Sequence, residues 1–467
     1  MPTAQEIERI VRRVIVALEA RDLPSAATPS NPRGVYPTVA QCVEAARISQ
    51  RALIACSLEK RRAIVSSIRT FAADQVHELA RRAVDETGLG RVEDKIRKNL
   101  LVIHRTPGPE FLEPIAITGD DGLTLVERAP YGVIAAITPS TNPTETILCN
   151  GIGMVSGGNT VVFNTHPGAK AVSAFCVDLA NRASIAAGGP DDVFTCVADP
   201  TLDTANELLR HPAIRMNVVT GGGGVVKAAL AAGKRCVAGG PGNPPVVIDD
   251  TADLDAAARG VVAGASFDNN VICTDEKEVF VVERAFDRVF AGVQRHGAVR
   301  VEGAALARLE KLVLTADRAH TQTKWVGKDA GRFLREIDVP FQGDPRLVVA
   351  EVPFDHPFVQ YELLMPILPF VRVRDVDEGI ALAVRAEHGY GHTASMWSRD
   401  VDALHAMARA FDGSIFVKNA PNYAGLGFGG EGWTSFTIAS PTGDGLTNVR
   451  TFTRERRCTL AGRFRIT

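Results

Sequence analysis

The sequence predicts an α/β protein whose parallel sheets are covered by helices. Two observations support this prediction. Between residues 132 and 238, short apolar runs such as GVIAAITP and NTVVFN alternate several times with helical segments, which is typical of βαβ units. The 467 residues are also enough for a large buried core divided into roughly two or three domains. Sheets of this kind bind ligands beyond the carboxyl ends of their strands.

The composition is ordinary for a globular protein and argues against several functions. The formal net charge is −2, with 45% hydrophobic and 23% charged residues, so no basic block favours nucleic acid. No window approaches 18 uninterrupted apolar residues, and we expect no membrane span. The N-terminus lacks the apolar core and cleavage site of a secretory signal. These features predict a cytoplasmic protein.

The cysteines and histidines do not predict a disulfide framework or a metal site. The eight cysteines are scattered without any C-x-x-C pair, which indicates a reducing compartment. His388 and His392 are four residues apart, but EHGYGHTA is broken by glycines and favours a loop pair over metal ligands. We therefore expect no metal.

The first element is an amphipathic helix within residues 1–20. The stretch AQEIERIVRRVIVALE, residues 4–19, places apolar side chains at helical spacing with charges on the other face. A Pro/Ser/Ala-rich linker follows over residues 21–34. A short helix on a tether cannot bury its apolar face alone. It either packs on the parent domain or a sister subunit, or it is an address peptide for a partner.

The remaining elements form two α/β units and a separate set of strands. In the first unit, strands and helices alternate from GVIAAITP to RCVAG, with helices expected near 143–156, 169–186 and 201–210. A second unit starts near GNPPVVIDD, residues 242–250, and continues to about 415. Residues 116–130 predict a hairpin with an Asp-Asp-Gly turn, and the chain after 446 is again strand-like. Protruding strands of this kind are often completed by another subunit, so we expect an oligomer.

Cys273 lies in a polar loop between a small-residue helix end and the apolar strand EVFVV. A nucleophilic cysteine needs access, a thiolate-favouring environment and a donor for the oxyanion that it creates. A free cysteine in a cytosolic chain is more often a small buried hydrophobe. The polar flanks of Cys273 leave these two interpretations about equal, whereas the other cysteines fit the second.

Three further features are candidates with structural alternatives. The run VVTGGGGVVK, residues 218–227, places glycines before a helix and suits a phosphate, although tight turns use the same residues. Asn142 could donate to an oxyanion or could cap a helix. Glu362 lies inside the apolar run VQYELLMPILPF, where it is either paired structurally or bonded to a ligand hydroxyl.

Taken in order, the Asn142 turn, TGGGG, AGGPGNPP, NNVICTDEKEV, YELLMPILPF and HGYGHTASMWS resemble the aldehyde dehydrogenase superfamily over residues 35–467. The resemblance implies a Rossmann-type cofactor domain, an α/β catalytic domain and an oligomerisation β-flap, usually in dimers or tetramers. The implied bounds are 35–236 with 416–445 for the dinucleotide- and coenzyme A-binding domain, 237–415 for the catalytic domain, and 113–130 with 446–467 for the flap.

The same resemblance assigns roles to individual residues. Cys273 matches the nucleophile, Asn142 the oxyanion donor and Glu362 the carboxylate that holds the nicotinamide ribose. Further cofactor contacts are implied for Thr138, Pro139, Ser140, Asn164, His166, Pro167, Thr220, Gly221, Gly222 and Gly239.

Two departures from the hydrolytic pattern are informative. Hydrolytic members carry a glutamate where this chain has Val237, which cannot accept a proton, and a cofactor lysine where it has Asn164. Both departures resemble the coenzyme A-acylating members of propanediol and ethanolamine utilisation. Those enzymes commonly carry N-terminal helices that direct them into bacterial microcompartments, so the resemblance favours the address-peptide interpretation and contacts between residues 4–19 and shell or core proteins.

The resulting hypothesis is an NAD-dependent, coenzyme A-acylating aldehyde dehydrogenase. Cys273 attacks a short aldehyde, hydride passes to NAD⁺, and the thioester is released by coenzyme A because no carboxylate at position 237 activates water. NNVICTDEK differs from the N-L-P-C-I-A-E-K form common in the acylating enzymes, so the aldehyde stays open, with propionaldehyde ahead of acetaldehyde and lactaldehyde. The alternatives are a hydrolytic aldehyde dehydrogenase, a catalytically silent cargo protein and a cysteine hydrolase.

Overall fold

A computed structural model describes residues 32–466, which divide into two compact units. The first unit contains the described residues up to Glu86, then Ile96–Gly239 and the chain from Trp433 onward; the second contains Thr87–Lys95 and Gly240–Gly432. The predicted helix of residues 1–20 and nearly all of the predicted linker lie outside the described residues. None of the helices within residues 32–466 has the length and apolar character needed to cross a bilayer.

The strands are numbered in chain order. They are β1 (Val35–Tyr36), β2 (Ile115–Gly119), β3 (Gly122–Pro130), β4 (Val133–Ile137), β5 (Thr160–Asn164), β6 (Phe194–Val197), β7 (Ile214–Thr220), β8 (Arg235–Gly239), β9 (Pro245–Ile248), β10 (Glu278–Val282), β11 (Ala298–Arg300), β12 (Leu347–Glu351), β13 (Ile367–Val373), β14 (Thr393–Trp397), β15 (Ile415–Lys418), β16 (Ile438–Ala439), β17 (Gly445–Leu446) and β18 (Thr453–Ala461).

The α-helices are numbered in the same way. They are α1 (Val39–Ala55), α2 (Leu58–Asp74), α3 (Val76–Thr87), α4 (Val92–Arg105), α5 (Pro143–Ser156), α6 (Lys170–Ala186), α7 (Leu202–Arg210), α8 (Gly223–Leu230), α9 (Leu254–Ala265), α10 (Glu283–Arg295), α11 (Gly303–Val313), α12 (Ala330–Glu336), α13 (Pro357–Gln360), α14 (Val376–Ala386) and α15 (Val401–Phe411).

The first unit is built on a parallel sheet with strand order β1-β6-β5-β4-β7-β8. The chain adds strands on one side of β4 as far as β6, then returns to add β7 and β8 on the other side. This is the doubly wound, Rossmann-type order, and the direction of winding changes between β4 and β7. The alternating pattern between residues 132 and 238 therefore predicted this sheet correctly.

The helices of the first unit pack their apolar side chains against its sheet. Every residue of α5 is buried, and its glycines allow close approach: a Cβ on Gly151 would lie 1.9 Å from the Phe194 ring. Helix α7 begins with a capping box in which the Thr201 and Thr204 side chains each bond the other's backbone. The helices predicted near 143–156, 169–186 and 201–210 are confirmed as α5, α6 and α7.

The second unit contains a larger parallel sheet with strand order β11-β12-β13-β10-β9-β14-β15. Strands β9, β10 and β14 are buried along their whole length, as expected when helices cover both faces. Residues 416–432, which the resemblance assigned to the first domain, cluster with this unit because β15 pairs with β14.

A three-stranded antiparallel sheet, β18-β3-β2, belongs to the first unit and forms the strands of the predicted flap. The predicted hairpin is confirmed as β2 and β3, and its turn ends at Gly122, whose φ is +120° and whose Cβ would meet the Leu460 carbonyl at 2.0 Å. Strand β2 is largely exposed, with Ile115 and Ile117 more than half accessible. Exposed β-branched side chains on an edge strand favour association with another chain.

Candidate active site

The loop that carries Cys273 begins in an unusual backbone conformation. After α9, Asp268, Asn269 and Asn270 adopt φ values of 46°, 55° and 65°, so three successive residues occupy the left-handed region. Aspartate and asparagine enter this region more readily than other residues with a side chain. The Asp-Asn-Asn sequence before Cys273 is therefore explained by the turn that brings the chain from α9 to the cysteine.

Asp268 is fixed by a buried ion pair. Its carboxylate accepts from Lys95 Nζ at 3.0 Å and from the Arg91 backbone N–H at 2.8 Å. Gly90 packs directly against it, since a Cβ at that position would lie 2.0 Å from Asp268 Oδ1. Because both charged side chains are fully buried, loss of either one would be costly to the fold.

The two asparagines are held by backbone carbonyls. Asn269 Nδ2 donates to the Gly327 carbonyl at 3.0 Å, and Asn270 Nδ2 donates to the carbonyls of Ala265 and Glu276 at 2.8 and 2.9 Å. Bonds of this kind offset the strain of left-handed backbone. The turn is thus fixed on both sides before the chain reaches Cys273.

Lys277 completes the loop and was not identified from the sequence. Its buried ammonium donates to the Asn270 carbonyl at 2.9 Å, to Asn270 Oδ1 at 2.6 Å and to the Ile272 carbonyl at 3.0 Å. The signal that could have revealed it is the charged triplet Glu276-Lys277-Glu278 at the start of a fully buried strand. Buried charges at such a place are rare unless they are paired.

Desolvation by burial is the main reason that the pKa of the Cys273 thiol is raised to about 12. The negative charge of Glu362 raises this pKa further, whereas the Lys277 ammonium lowers it. The residue nevertheless retains some exposed surface. The structure thus brings Cys273, Glu362 and Lys277 into one electrostatic group, and the resting thiol is protonated at neutral pH.

Glu362 follows α13 and lies near the Gly242 backbone N–H. Burial is the main influence on the pKa of the Glu362 carboxyl and raises it to about 7, although the positive charge of Lys277 and the Gly242 N–H oppose this shift. A carboxylate near its pKa beside a nucleophile can change charge at physiological pH. A carboxylate that binds a ribose hydroxyl also has to be partly desolvated and able to accept a hydrogen bond, and Glu362 lies in such a position.

His392 lies beside this group, and His388 does not. A Cβ on Gly242 would approach His392 Cγ at 2.9 Å and the Cys273 carbonyl at 3.0 Å. Burial and the nearby Lys277 lower the pKa of His392 to about 3, so its ring is neutral. His388 is exposed, with Nε2 2.9 Å from the Gln360 carbonyl. Within residues 32–466, no group of three or more potential ligands could hold a metal ion.

In the first unit, the predicted cofactor residues lie at the carboxyl ends of neighbouring strands. Residues 138–140 follow β4, residues 164–167 end or follow β5, residues 220–222 end or follow β7, and Gly239 ends β8. All of these strands are parallel, so their carboxyl ends meet at one edge. The change of winding direction between β4 and β7 places Thr138, Pro139 and Ser140 opposite Thr220, Gly221 and Gly222 at the switch point.

The space at this edge suits a phosphate group. A Cβ on Gly222, Gly223 or Gly224 would meet no atom within 4 Å, so this segment leaves open room immediately before α8. The N-terminus of α8 directs backbone N–H groups and a positive dipole end toward that room. Among the described residues, this edge therefore fits the pyrophosphate of a dinucleotide or of coenzyme A.

Asn164 and His166 hold the end of β5 in place. Asn164 Oδ1 accepts from Thr204 Oγ1 at 2.6 Å, and its Nδ2 donates to the Thr201 carbonyl at 3.3 Å, which fastens the strand to the start of α7. His166 is exposed, and its Nδ1 accepts from the Gly168 backbone N–H at 3.0 Å. Pro167 is exposed beside it.

Asn142 stands at the start of α5 without capping it. No hydrogen bond joins its side chain to the first-turn backbone of the helix. Instead, Asn142 Oδ1 accepts from Lys98 Nζ at 2.6 Å, and Asn142 Nδ2 donates to Thr141 Oγ1 at 3.2 Å. The structural alternative, a helix cap, is therefore not what this side chain does.

Val237 is fully buried in β8, where it pairs with Val218 of β7. An apolar side chain there offers no group that could take a proton from water. The first unit therefore contains Asn142, the strand-end residues and Val237, and the second contains Cys273 and Glu362.

Comparison with known proteins gives concordant matches. A model of the aldehyde dehydrogenase family matches residues 30–449. The chain is 45% identical to the acetaldehyde dehydrogenase (acetylating) EutE of Escherichia coli and 41% identical to a propanal dehydrogenase (CoA-propanoylating) of Salmonella typhimurium, over 99% of each chain in both cases.

Solved structures agree. A Rhodopseudomonas palustris propionaldehyde dehydrogenase with bound CoA and an acylated cysteine superposes with a TM-score of 0.90 at 46% identity, covering 92% of this chain and 98% of the other. A propionaldehyde dehydrogenase from the Clostridium phytofermentans fucose utilisation bacterial microcompartment gives 0.92 at 44% identity, covering 93% and 100%.

Proposed function

This chain belongs to the aldehyde dehydrogenase family, and on that basis we propose that it oxidises a short aliphatic aldehyde to an acyl-CoA through a thioester on Cys273. It is a coenzyme A-acylating oxidoreductase that uses NAD and coenzyme A. The observation that carries the assignment to this site is the cysteine loop, in which a left-handed turn and a buried ammonium hold one partly accessible thiol beside Glu362.

In the proposed first step, the Cys273 thiol loses its proton to water, its sulfur forms a bond to the aldehyde carbon, and the carbonyl electron pair moves to oxygen. We assign Asn142 Nδ2 and the Cys273 backbone N–H as donors to that oxyanion. When bound, NAD⁺ supplies the hydride acceptor that turns this adduct into a thioester, and coenzyme A supplies the thiol that releases it. Thr220 to Gly222, Gly239 and the β4 and β5 ends are assigned to holding these phosphate-bearing molecules.

Glu362 controls when the nucleophile is ready. Its negative charge raises the pKa of the Cys273 thiol, so a ligand hydroxyl that binds this carboxylate and draws it away from the sulfur favours thiolate. The proposed contact with the nicotinamide ribose would therefore couple cofactor binding to activation of Cys273.

Val237 accounts for the choice of acyl acceptor. Hydrolysis of the thioester needs a base for water, and a buried valine provides none. A thiol acceptor has a pKa near ~8.5, so a few per cent is already thiolate at neutral pH. The thioester therefore persists until a thiol arrives.

The finer assignments also belong to this proposal. We propose propionaldehyde as the preferred substrate, ahead of acetaldehyde, because the similar solved structures are propionaldehyde dehydrogenases, while the similar curated proteins are named for acetaldehyde or propanal. The exposed strands β2 and β18 are assigned to contacts between copies of this chain in a homodimer or homotetramer. Residues 4–19, which lie outside the described residues, are assigned to contacts with microcompartment shell or core proteins, which would place the enzyme inside such a compartment in the cytoplasm.

The decisive experiment measures NADH and acyl-CoA formation from propionaldehyde and acetaldehyde, with NAD⁺ or NADP⁺, in the presence and absence of coenzyme A. We expect rapid turnover only with coenzyme A and none in Cys273→Ala. Equal NADH rates without coenzyme A, with only carboxylate formed, would establish the hydrolytic alternative. An inactive parent protein would favour the silent cargo alternative.

A further inference from the structure

Lys98 is a fully buried lysine in the part of α4 that belongs to the first unit. Its ammonium donates to Asn142 Oδ1 at 2.6 Å and lies 3.4 Å from Glu145 Oε1, whose side chain is also fully buried. Asn142 and Glu145 are three residues apart at the start of α5, so they present adjacent acceptors to one donor. Burial of this charge is costly unless its partners are well placed.

The carboxamide of an asparagine has two ends of nearly equal size. One is an acceptor and the other a donor, and only hydrogen-bond partners decide which end faces which way. An ammonium can only donate, so Lys98 fixes the oxygen of Asn142 toward itself. Nδ2 must then point away from Lys98, and Thr141 Oγ1 accepts from it at 3.2 Å. That leaves an amide with one remaining N–H to give.

We propose that Lys98 is a positioning residue for the oxyanion donor: it holds Asn142 in the one orientation in which Nδ2, and not Oδ1, faces the substrate oxygen. This inference rests on the proposed function, because it assumes that Asn142 donates to the oxyanion. A charge on the carbonyl end also polarises the amide and strengthens its N–H as a donor. Reversal of the amide would direct an oxygen lone pair at the developing negative charge.

Glu145 keeps the ammonium in place. Besides its contact with Lys98, its carboxylate accepts from Thr144 Oγ1 at 3.2 Å and from Asn99 Nδ2 at 3.4 Å. Its place in the first turn of α5 is favourable for a negative charge. The ammonium is therefore held between a carboxylate and the amide that it orients.

The test is a double-mutant cycle with Lys98→Met and Asn142→Ala. We expect Asn142→Ala to lower kcat about 100- to 1,000-fold and Lys98→Met to lower it about 10- to 100-fold, with the KM for coenzyme A and the alkylation rate of Cys273 unchanged. In the Asn142→Ala background, Lys98→Met should have little further effect, because no amide remains to orient. Lys60→Met is the control, since it removes another ammonium of the first unit, bonded to the Ala187 carbonyl at 2.9 Å.

A second variant separates positioning from folding. Lys98→Met with Glu145→Gln removes both charges of this buried pair, so neither is left without the other, and we expect the same kcat loss as in Lys98→Met. Parent-like kcat in either Lys98 variant, or equal losses from Lys98→Met with and without Asn142, would overturn the proposal. A fully active Asn142→Ala variant would instead show that Asn142 does not donate to the oxyanion. That result would refute this part of the proposed function, and the hydrogen bond between Lys98 and Asn142 would then have no catalytic role.

Discussion

Replacement of Lys277 by methionine tests whether a buried ammonium governs the nucleophile. Methionine has similar length but neither charge nor donors. The substitution removes three hydrogen bonds, two to carbonyl oxygens of Asn270 and Ile272 and one to the Asn270 amide oxygen. Hydrogen bonds to charged groups contribute about 1.5–3 kcal/mol each. They are not additive, so we expect a loss of about 3–5 kcal/mol within the loop.

The same change acts on the thiol. The Lys277 ammonium lowers the pKa of Cys273, which burial and Glu362 raise to about 12. Without the ammonium, the thiol pKa rises again, and each unit costs a factor of ten in thiolate below the pKa. Asp268, Asn269 and Asn270 keep their other partners, so we expect the loop to stay closed and Cys273 to react at least about tenfold more slowly.

The assay is alkylation by iodoacetamide between pH 7 and 10, followed on the Cys273 peptide by mass spectrometry because Cys458 is exposed and also reacts. Lys277→Arg should retain much of the parent rate, and Lys418→Met, a change at an exposed lysine of β15, should retain all of it. An unchanged rate and pH profile in Lys277→Met would refute the electrostatic role. A faster alkylation rate would show that the loop had opened, and this result would also contradict the electrostatic role of Lys277.

Three further predictions concern the same unit. Glu362→Gln removes a charge that raises the thiol pKa, so Cys273 alkylation should be severalfold faster at pH 8.5, and the difference should vanish below about pH 6, where the Glu362 carboxyl (pKa about 7) is protonated. Gly90→Ala places a Cβ 2.0 Å from Asp268 Oδ1 at a φ of +76° and should lower the melting temperature by several degrees, whereas Gly303→Ala, at φ +53° with open space around it, should cost much less. Burial raises the pKa of Glu276 to about 7, so its contribution to stability is present below about pH 4.5 and is lost as the pH rises through 7. In a thermal melt, Glu276→Gln should therefore be more stable than the parent at pH 8. A difference between variant and parent that is the same at pH 5 and pH 8 would contradict this prediction.

Much of the fold could be predicted because its strands are both short and apolar. Fully buried strands such as β4, β5 and β10 are mostly apolar, and parallel sheets covered on both faces impose that pattern. Strands β2 and β3 were found for a different reason, because an Asp-Asp-Gly turn between two strand-like segments favours a hairpin. Strand order was not predicted, since pairing across β4 and β7 depends on contacts far apart in sequence.

The site was predicted only in part. Cys273 stood out by its polar flanks, and resemblance assigned Asn142 and Glu362. The buried lysines were missed because charged side chains in helices and at strand ends are ordinarily solvated. Lys95 and Lys98 have partners on distant segments, namely Asp268, and Asn142 with Glu145. Lys277 is buried against carbonyls of its own loop, which only the folded turn brings to its ammonium.

The left-handed turn before Cys273 also restricts how this enzyme can diversify. At positions 268, 269 and 270 the left-handed backbone excludes β-branched and bulky residues. The buried groups that bond to these three side chains exclude most of the other residue types. Glycine could follow the turn at Asn269 but would abandon its bonds to Gly327 and Asp329. A saturation library should therefore show very low mutational tolerance over these three codons and much greater tolerance in exposed segments such as β2, so new aldehyde specificities would have to arise elsewhere in the chain.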